Sequence, residues 1–170
     1  MLFRFIYELL LQNISSYPDQ LAVKALLLDQ DGKKVTLNIA SNQAASSSVL
    51  AFKDHGKIWP DVNYVGKITL ESQTLPSVLC NLGLNISDYQ ALVLDTQGSE
   101  LLIIKGAIGI LDAVKYVKTE VPDFEAYAGC PVLKDFNSYM FSHGFYLACK
   151  SAFASSPSHG TYFDVVYERV

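Results

Sequence analysis

Nine residues, Leu92-Val93-Leu94-Asp95-Thr96-Gln97-Gly98-Ser99-Glu100, constrain the fold more than any other stretch of this chain. The apolar run from Tyr89 to Leu94 is strand-like and ends on a carboxylate. A glycine turn follows, and a helical segment opens at Ser99 and Glu100. Strand, turn and helix in that order build the ligand edge of an open α/β sheet, whose crevice lies beyond the carboxyl ends of the strands. Asp95 then sits at the edge, beside the free backbone N–H groups of a helix start. The plain alternative is an ordinary connection in which Asp95 only caps the next helix.

The rest of the chain supplies the sheet. Its 170 residues suit one domain, taken as residues 1–170, with a sizeable core. Half of them are hydrophobic and 18% are charged, which excludes disorder. A net charge of −4 argues against a nucleic-acid surface, which carries a basic excess. Cys80, Cys130 and Cys149 lie far apart and match no metal spacing, and His55, His143 and His159 are scattered too, so no metal site is read. The cysteines read as reduced, mostly buried thiols of a cytoplasmic protein. The segment Met1–Leu11 lacks a cleavage pattern and is too short for a membrane span. Leu2, Phe5, Ile6, Leu9 and Leu10 fall at helical spacing, which predicts an amphipathic helix packed on a sheet. The glycosylation-like triplets at Asn13 and Asn85 are read as chance.

Periodicity orders the elements. Leu21–Leu28 reads as a buried strand, and Asp31-Gly32 as its turn into a hairpin partner over Lys33–Ile39. Ser41–Ser48 reads as a surface loop, and Tyr64–Leu70 as a short strand. Leu75–Leu82 is helical, with Pro76 tolerated in its first turn. After the Tyr89–Leu94 strand come a buried helix over Glu100–Leu111, a strand over Val114–Val121 and a helix over Val132–His143 stopped by Gly144. Phe145–Lys150 and Tyr162–Arg169 are joined without a helix and so run antiparallel. The expectation is a doubly wound α/β sheet, mostly parallel, with an antiparallel C-terminal edge pair.

Asp95-Thr96-Gln97-Gly98-Ser99-Glu100-Leu101-Leu102 followed by Lys105-Gly106-Ala107 resembles the signature of the FkbM-type methyltransferases. Val117-Lys118-Thr119-Glu120-Val121 is similar to that family's next strand, which ends near a glutamate. Tyr127, Val132–Tyr139 and His143-Gly144-Phe145 resemble the following helix and its exit. Leu21–Leu28, Asp31-Gly32, Asn42, Ser46–Ser48 and Thr74–Leu79 fit the elements upstream. The resemblance implies a Rossmann-like class I methyltransferase sheet, with S-adenosylmethionine as cofactor and a sugar or natural-product hydroxyl as acceptor. It also implies two further strands before this chain's first helix, one carrying a Gly-rich cofactor loop and the other a ribose-binding carboxylate. Neither has a counterpart here, since no glycine precedes Gly32.

Methyl transfer to a hydroxyl needs an acceptor held in line and relieved of its proton. Asp95 is the first candidate, as base, orienter or partner of the sulfonium. Glu120, ending the neighbouring strand, joins it as the second catalytic residue, and two adjacent carboxylates raise one pKa. Gln97, Gly98 and Ser47 complete the expected cofactor contacts. Glu100 reads as a helix-dipole residue, Lys105 as a snorkelling one, and Tyr127 as either an acceptor-side or a packing aromatic. With the first two strands lacking, the strands at Tyr89–Leu94 and Leu21–Leu28 are expected to have unpaired edges. Those edges pair with another copy, repack against each other, or leave the chain poorly stable. The alternative to an enzyme is a non-catalytic interaction module or a gene remnant of the same fold.

Overall fold

Apolar runs and turn residues divide this chain into two sheets. The computed structural model describes the backbone of residues 2–170 and the side chains from Phe5 onward. Helix α1 (Leu2–Ile14) leads through an irregular stretch to a two-residue strand, β1 (Leu26–Leu27). Strands β2 (Lys34–Ala40) and β3 (Tyr64–Gln73) follow, then helix α2 (Leu75–Asn81). The second half runs β4 (Ala91–Leu94), α3 (Glu100–Gly106), β5 (Tyr116–Pro122), α4 (Leu133–Ser142), β6 (Phe145–Ser156) and β7 (Gly160–Arg169). One sheet has the order β1-β3-β2 and the other β4-β5-β7-β6.

The period-two alternation of β5 sets the layers. Val117, Thr119 and Val121 are buried, while Tyr116, Lys118 and Glu120 turn to the other face. The buried face packs on α3 and α4 through Ile103, Ile104, Phe136 and Met140, with Val165 and Tyr167 from β7. Gly106 brings α3 against the end of β1, because a Cβ there would run into the Leu28 carbonyl oxygen. Helix α2 begins where Thr74 caps the Ser77 N–H, and Asp31 accepts from the Thr74 N–H at 2.6 Å and the Ser77 hydroxyl at 2.7 Å. These bonds hold the Asp31 carboxyl below its ordinary pKa.

Several expectations are corrected. The sheets are mixed: β1–β3 and β4–β5 are parallel, while β2–β3, β5–β7 and β6–β7 are antiparallel. The antiparallel C-terminal pair is present, but β7 inserts between β5 and β6. Strand β2 pairs with β3 and not with the Leu21–Leu28 segment, of which only Leu26–Leu27 is strand. Leu21, read as buried, is 63% exposed. Helix α1 also leaves Phe5, Leu9, Leu10 and Leu11 exposed, because no sheet lies under its whole apolar side. Helix α3 stops at Gly106 and gives way to a short 3-10 turn at Leu111–Ala113. Of the three cysteines only Cys130 is buried; Cys80 and Cys149 are exposed and all are free thiols. No helix among the described residues is long and apolar enough to cross a membrane.

Candidate functional site

Parallel pairing of β4 with β5 sets Leu94 beside Thr119, so Asp95 and Glu120 follow at one level on one edge. The antiparallel neighbour β7 adds Asp164 opposite Glu120. Three carboxylates therefore converge where the sequence placed two. Asp95 is exposed and Glu120 half-buried. Loss of water and the charges of Asp95, Asp164 and Glu100 raise Glu120 to about 7, against 4.5 for an ordinary glutamate. Lys118 tempers the cluster from 3.5 Å away, through its ion pair with Asp164.

The turn after Asp95 is built by the residues around it. Gln97 adopts a left-handed backbone, φ 55°, and Gly98 follows at φ 97°. The Gln97 side chain donates from Nε2 to Asp95 Oδ1 at 2.6 Å and accepts at Oε1 from the Tyr127 hydroxyl at 2.7 Å. Tyr127 thereby fixes which way the amide points, and the amide fixes Asp95. The Ser48 hydroxyl donates to the Gln97 carbonyl at 2.7 Å. Asp95 is therefore more than a helix cap: its side-chain partner is an amide held by a buried tyrosine. Glu100, 4% exposed, ties down the turn itself: its Oε1 accepts from the Thr96 N–H at 2.9 Å and the Gly98 N–H at 3.1 Å. Burial nonetheless pushes the Glu100 carboxyl up.

Behind this turn lies an aromatic cluster that the sequence reading missed. Phe52 stacks on Tyr64 at 3.9 Å and on His55 at 4.6 Å, and pairs by an isolated bridge with Tyr127. His55 is buried, with Nδ1 3.1 Å from the Tyr162 hydroxyl and no partner at Nε2. Burial lowers its pKa to about 4, so the ring is neutral at pH 7. The segment around residues 48–59 thus wraps the Tyr127 side of the site. Its ring neighbours Phe52 and Trp59 are local in sequence, but Tyr127 and Tyr162 come from the loop after β5 and from β7, which is why the sequence alone does not mark His55.

The remaining expectations sort as follows. Ser47 lies close to the turn, but its hydroxyl accepts from the Ala40 N–H at 3.1 Å, and Ser48 is the serine that reaches Gln97. Gly98 lies against Tyr127, whose ring carbon would stand 3.0 Å from a Cβ there. Tyr127 is both a packing aromatic and a hydrogen-bonding one. Lys105 lies over the Tyr139 ring at 5.7 Å. No group of three His, Cys, Asp or Glu able to hold a metal occurs among the described residues.

The family model for the methyltransferase FkbM domain matches residues 7–147. The chain belongs to the FkbM methyltransferase family. That match runs from within α1 to the start of β6 and includes Asp95, Gln97, Glu120 and Tyr127. The resemblance carried by the Asp95–Ala107 signature is thereby borne out for this FkbM chain. No curated protein and no solved structure matches it.

Proposed function

We propose that this FkbM-family chain provides the acceptor side of an S-adenosylmethionine-dependent O-methyl transfer to a sugar or natural-product hydroxyl. One observation carries the reading: a carboxylate raised to about 7, Glu120, stands beside the amide-anchored Asp95 at the end of two parallel strands. A base of that pKa is half ionised near neutral pH and matched to removing a hydroxyl proton as the oxygen becomes a nucleophile. Asp95 uses Oδ1 for Gln97, which leaves Oδ2 to orient the acceptor. Tyr127 and Gln97 hold that carboxylate in place without touching the acceptor themselves. Glu120 takes the proton.

S-adenosylmethionine, the cofactor the family implies, supplies the electrophilic methyl group when bound. The residues present do not make a whole site for it. The Ser47 hydroxyl is committed to Ala40, the Gln97 carbonyl to Ser48, and the bare Cα of Gly98 to the Tyr127 ring. Asp95 is the exposed one among the four expected cofactor contacts. Calorimetric titration of the purified chain with S-adenosylmethionine is therefore expected to show weak binding or none. The acceptor side is tested separately, by following the Glu120 carboxyl resonance while monosaccharides are added. Shifts that vanish in Asp95→Asn and Glu120→Gln support the reading, and a carboxyl blind to every hydroxyl compound defeats it. A non-catalytic interaction module is the second reading, favoured by the open edge of β4 at the end of its sheet.

A further inference from the structure

The turn that follows Asp95 is held from a distant part of the chain. Gln97 keeps a left-handed backbone, φ 55°, which a residue with a side chain holds only under restraint. One restraint is the Ser48 hydroxyl, which donates to the Gln97 carbonyl at 2.7 Å. Ser48 is itself fixed to the first sheet, where it exchanges backbone hydrogen bonds with Asn38 of β2 at 2.8 and 3.1 Å. Close by, the Leu50 carbonyl accepts from the Tyr64 hydroxyl of β3 at 2.7 Å.

From that root the chain crosses to the second sheet. The Lys53 and His55 N–H groups donate to the Ala126 carbonyl at 2.9 and 3.0 Å, and the Ala128 N–H donates to the Ala51 carbonyl at 2.8 Å. Tyr127 lies between those anchors, with its ring 5.6 Å from that of Phe52 and 5.1 Å from that of His55. Its hydroxyl reaches the Gln97 amide, and the amide reaches Asp95. His55 adds a tie to β7, since Nδ1 lies 3.1 Å from the Tyr162 hydroxyl. Packing alone does not call for an imidazole there, because a phenylalanine would leave no buried nitrogen without a partner. Along the same two strands, Tyr162 pairs with Pro122 and Asp164 with Glu120. The stretch from Ser48 to His55 therefore touches the turn after β4, the loop after β5 and the start of β7, which adjoin Asp95, Glu120 and Asp164 in turn.

We propose that Ser48, Phe52 and His55 are positioning residues of the carboxylate edge, bracing it from the first sheet. The brace acts on Asp95 through Tyr127 and Gln97. Like charges repel, so an Asp95 freed from its amide turns to water and away from Glu120. Held by the amide, Asp95 keeps Glu120 protonated to a higher pH. The proposal rests on reading this edge as the acceptor side, but it concerns what holds the carboxylates and not what they bind.

The test needs no acceptor and so stands apart from the monosaccharide titration. The Glu120 midpoint is followed by carboxyl-carbon NMR in the whole chain, with Asp95→Asn as the reference for a lost neighbour. Phe52→Ala is expected to lower the midpoint by at least half of the fall seen in Asp95→Asn, and Phe52→Tyr, which keeps the ring, to restore it. Added to Asp95→Asn, Phe52→Ala should lower it no further, because the brace works through Asp95. A merely structural role would lower Tm in both backgrounds without that dependence. Ser48→Ala removes one hydroxyl, is expected to act in the same direction, and carries the test if Phe52→Ala does not fold. His55→Phe, which keeps a ring but not the tie to Tyr162, should follow it. A midpoint that stays at about 7 in Phe52→Ala and Ser48→Ala overturns the proposal. An equal fall with and without Asp95 overturns it too, by tracing the effect to lost burial around Glu120. A chain that shows the expected pattern yet responds to no hydroxyl compound keeps the brace and loses the acceptor reading.

Discussion

Asp95 and Glu120 end neighbouring strands at one level, yet their surroundings separate them. Asp95 is exposed and anchored by an amide; Glu120 is half desolvated and faces other carboxylates. Glu120 is expected to titrate near 7 by carboxyl-carbon NMR, and Asp95→Asn to lower that midpoint by removing a neighbouring negative charge. A midpoint at 4.5 in the native chain, or one indifferent to Asp95→Asn, would refute the coupling. The sign for stability follows from linkage. A carboxyl raised in the fold binds its proton more tightly there, so its favourable contribution is whole below 4.5 and is lost as pH rises through about 7. Glu120→Gln should therefore flatten the pH dependence of unfolding free energy across that window. Asp95 and Glu120 were legible in the sequence because strand ends place residues by simple counting. Asp164 was not, because it enters only through the pairing of β7 with β5. Ser48 could not be told from Ser47, since three consecutive serines carry no mark of which hydroxyl turns inward.

Among elements, the second half of the chain was the readable part. Helices α2 and α4 and strands β4, β5 and β7 fall close to where periodicity and their Pro and Gly boundaries put them. In the first half β2 and β3 also lie close to their expected places, but Leu21–Leu28 misled, because a continuous apolar run says that a segment wants burial without saying what buries it. Leu21–Leu28 has a central strand's composition, but only two of its residues find a partner, in β3. The junction of α3 with the end of β1 is one of the close contacts between the two halves of the chain. Gly106 lies so close to the Leu28–Asp29 backbone that a methyl group must displace main chain. Gly106→Ala is thus expected to destabilise the fold by about 1–3 kcal/mol, the usual cost of overpacking, despite alanine's better helix propensity. Thermal unfolding measures it. An unchanged or raised Tm would mean that α3 and β1 slide past one another freely.

Over the whole molecule, stability should be graded from one end of the chain to the other. Strands β5 and β7 pair with each other, have neighbours on both sides, and bury Val117, Val165 and Tyr167 against α3 and α4. Helix α1 has far less to hold it. The Tyr7 hydroxyl donates to the Ala22 carbonyl at 3.1 Å, and the Lys24 ammonium lies 4.0 Å from the centre of the Tyr7 ring. Leu10 and Ile14 border an open apolar groove of about 590 Å³ with Leu27, Leu79 and Tyr89. Local opening costs least where few apolar groups are buried, and exchange reports that cost residue by residue. The amides of α1 and β1 are expected to exchange orders of magnitude faster than those of β5 and β7. Uniform protection from α1 to β7 would show instead that the groove is filled and that both sheets open as one cooperative unit.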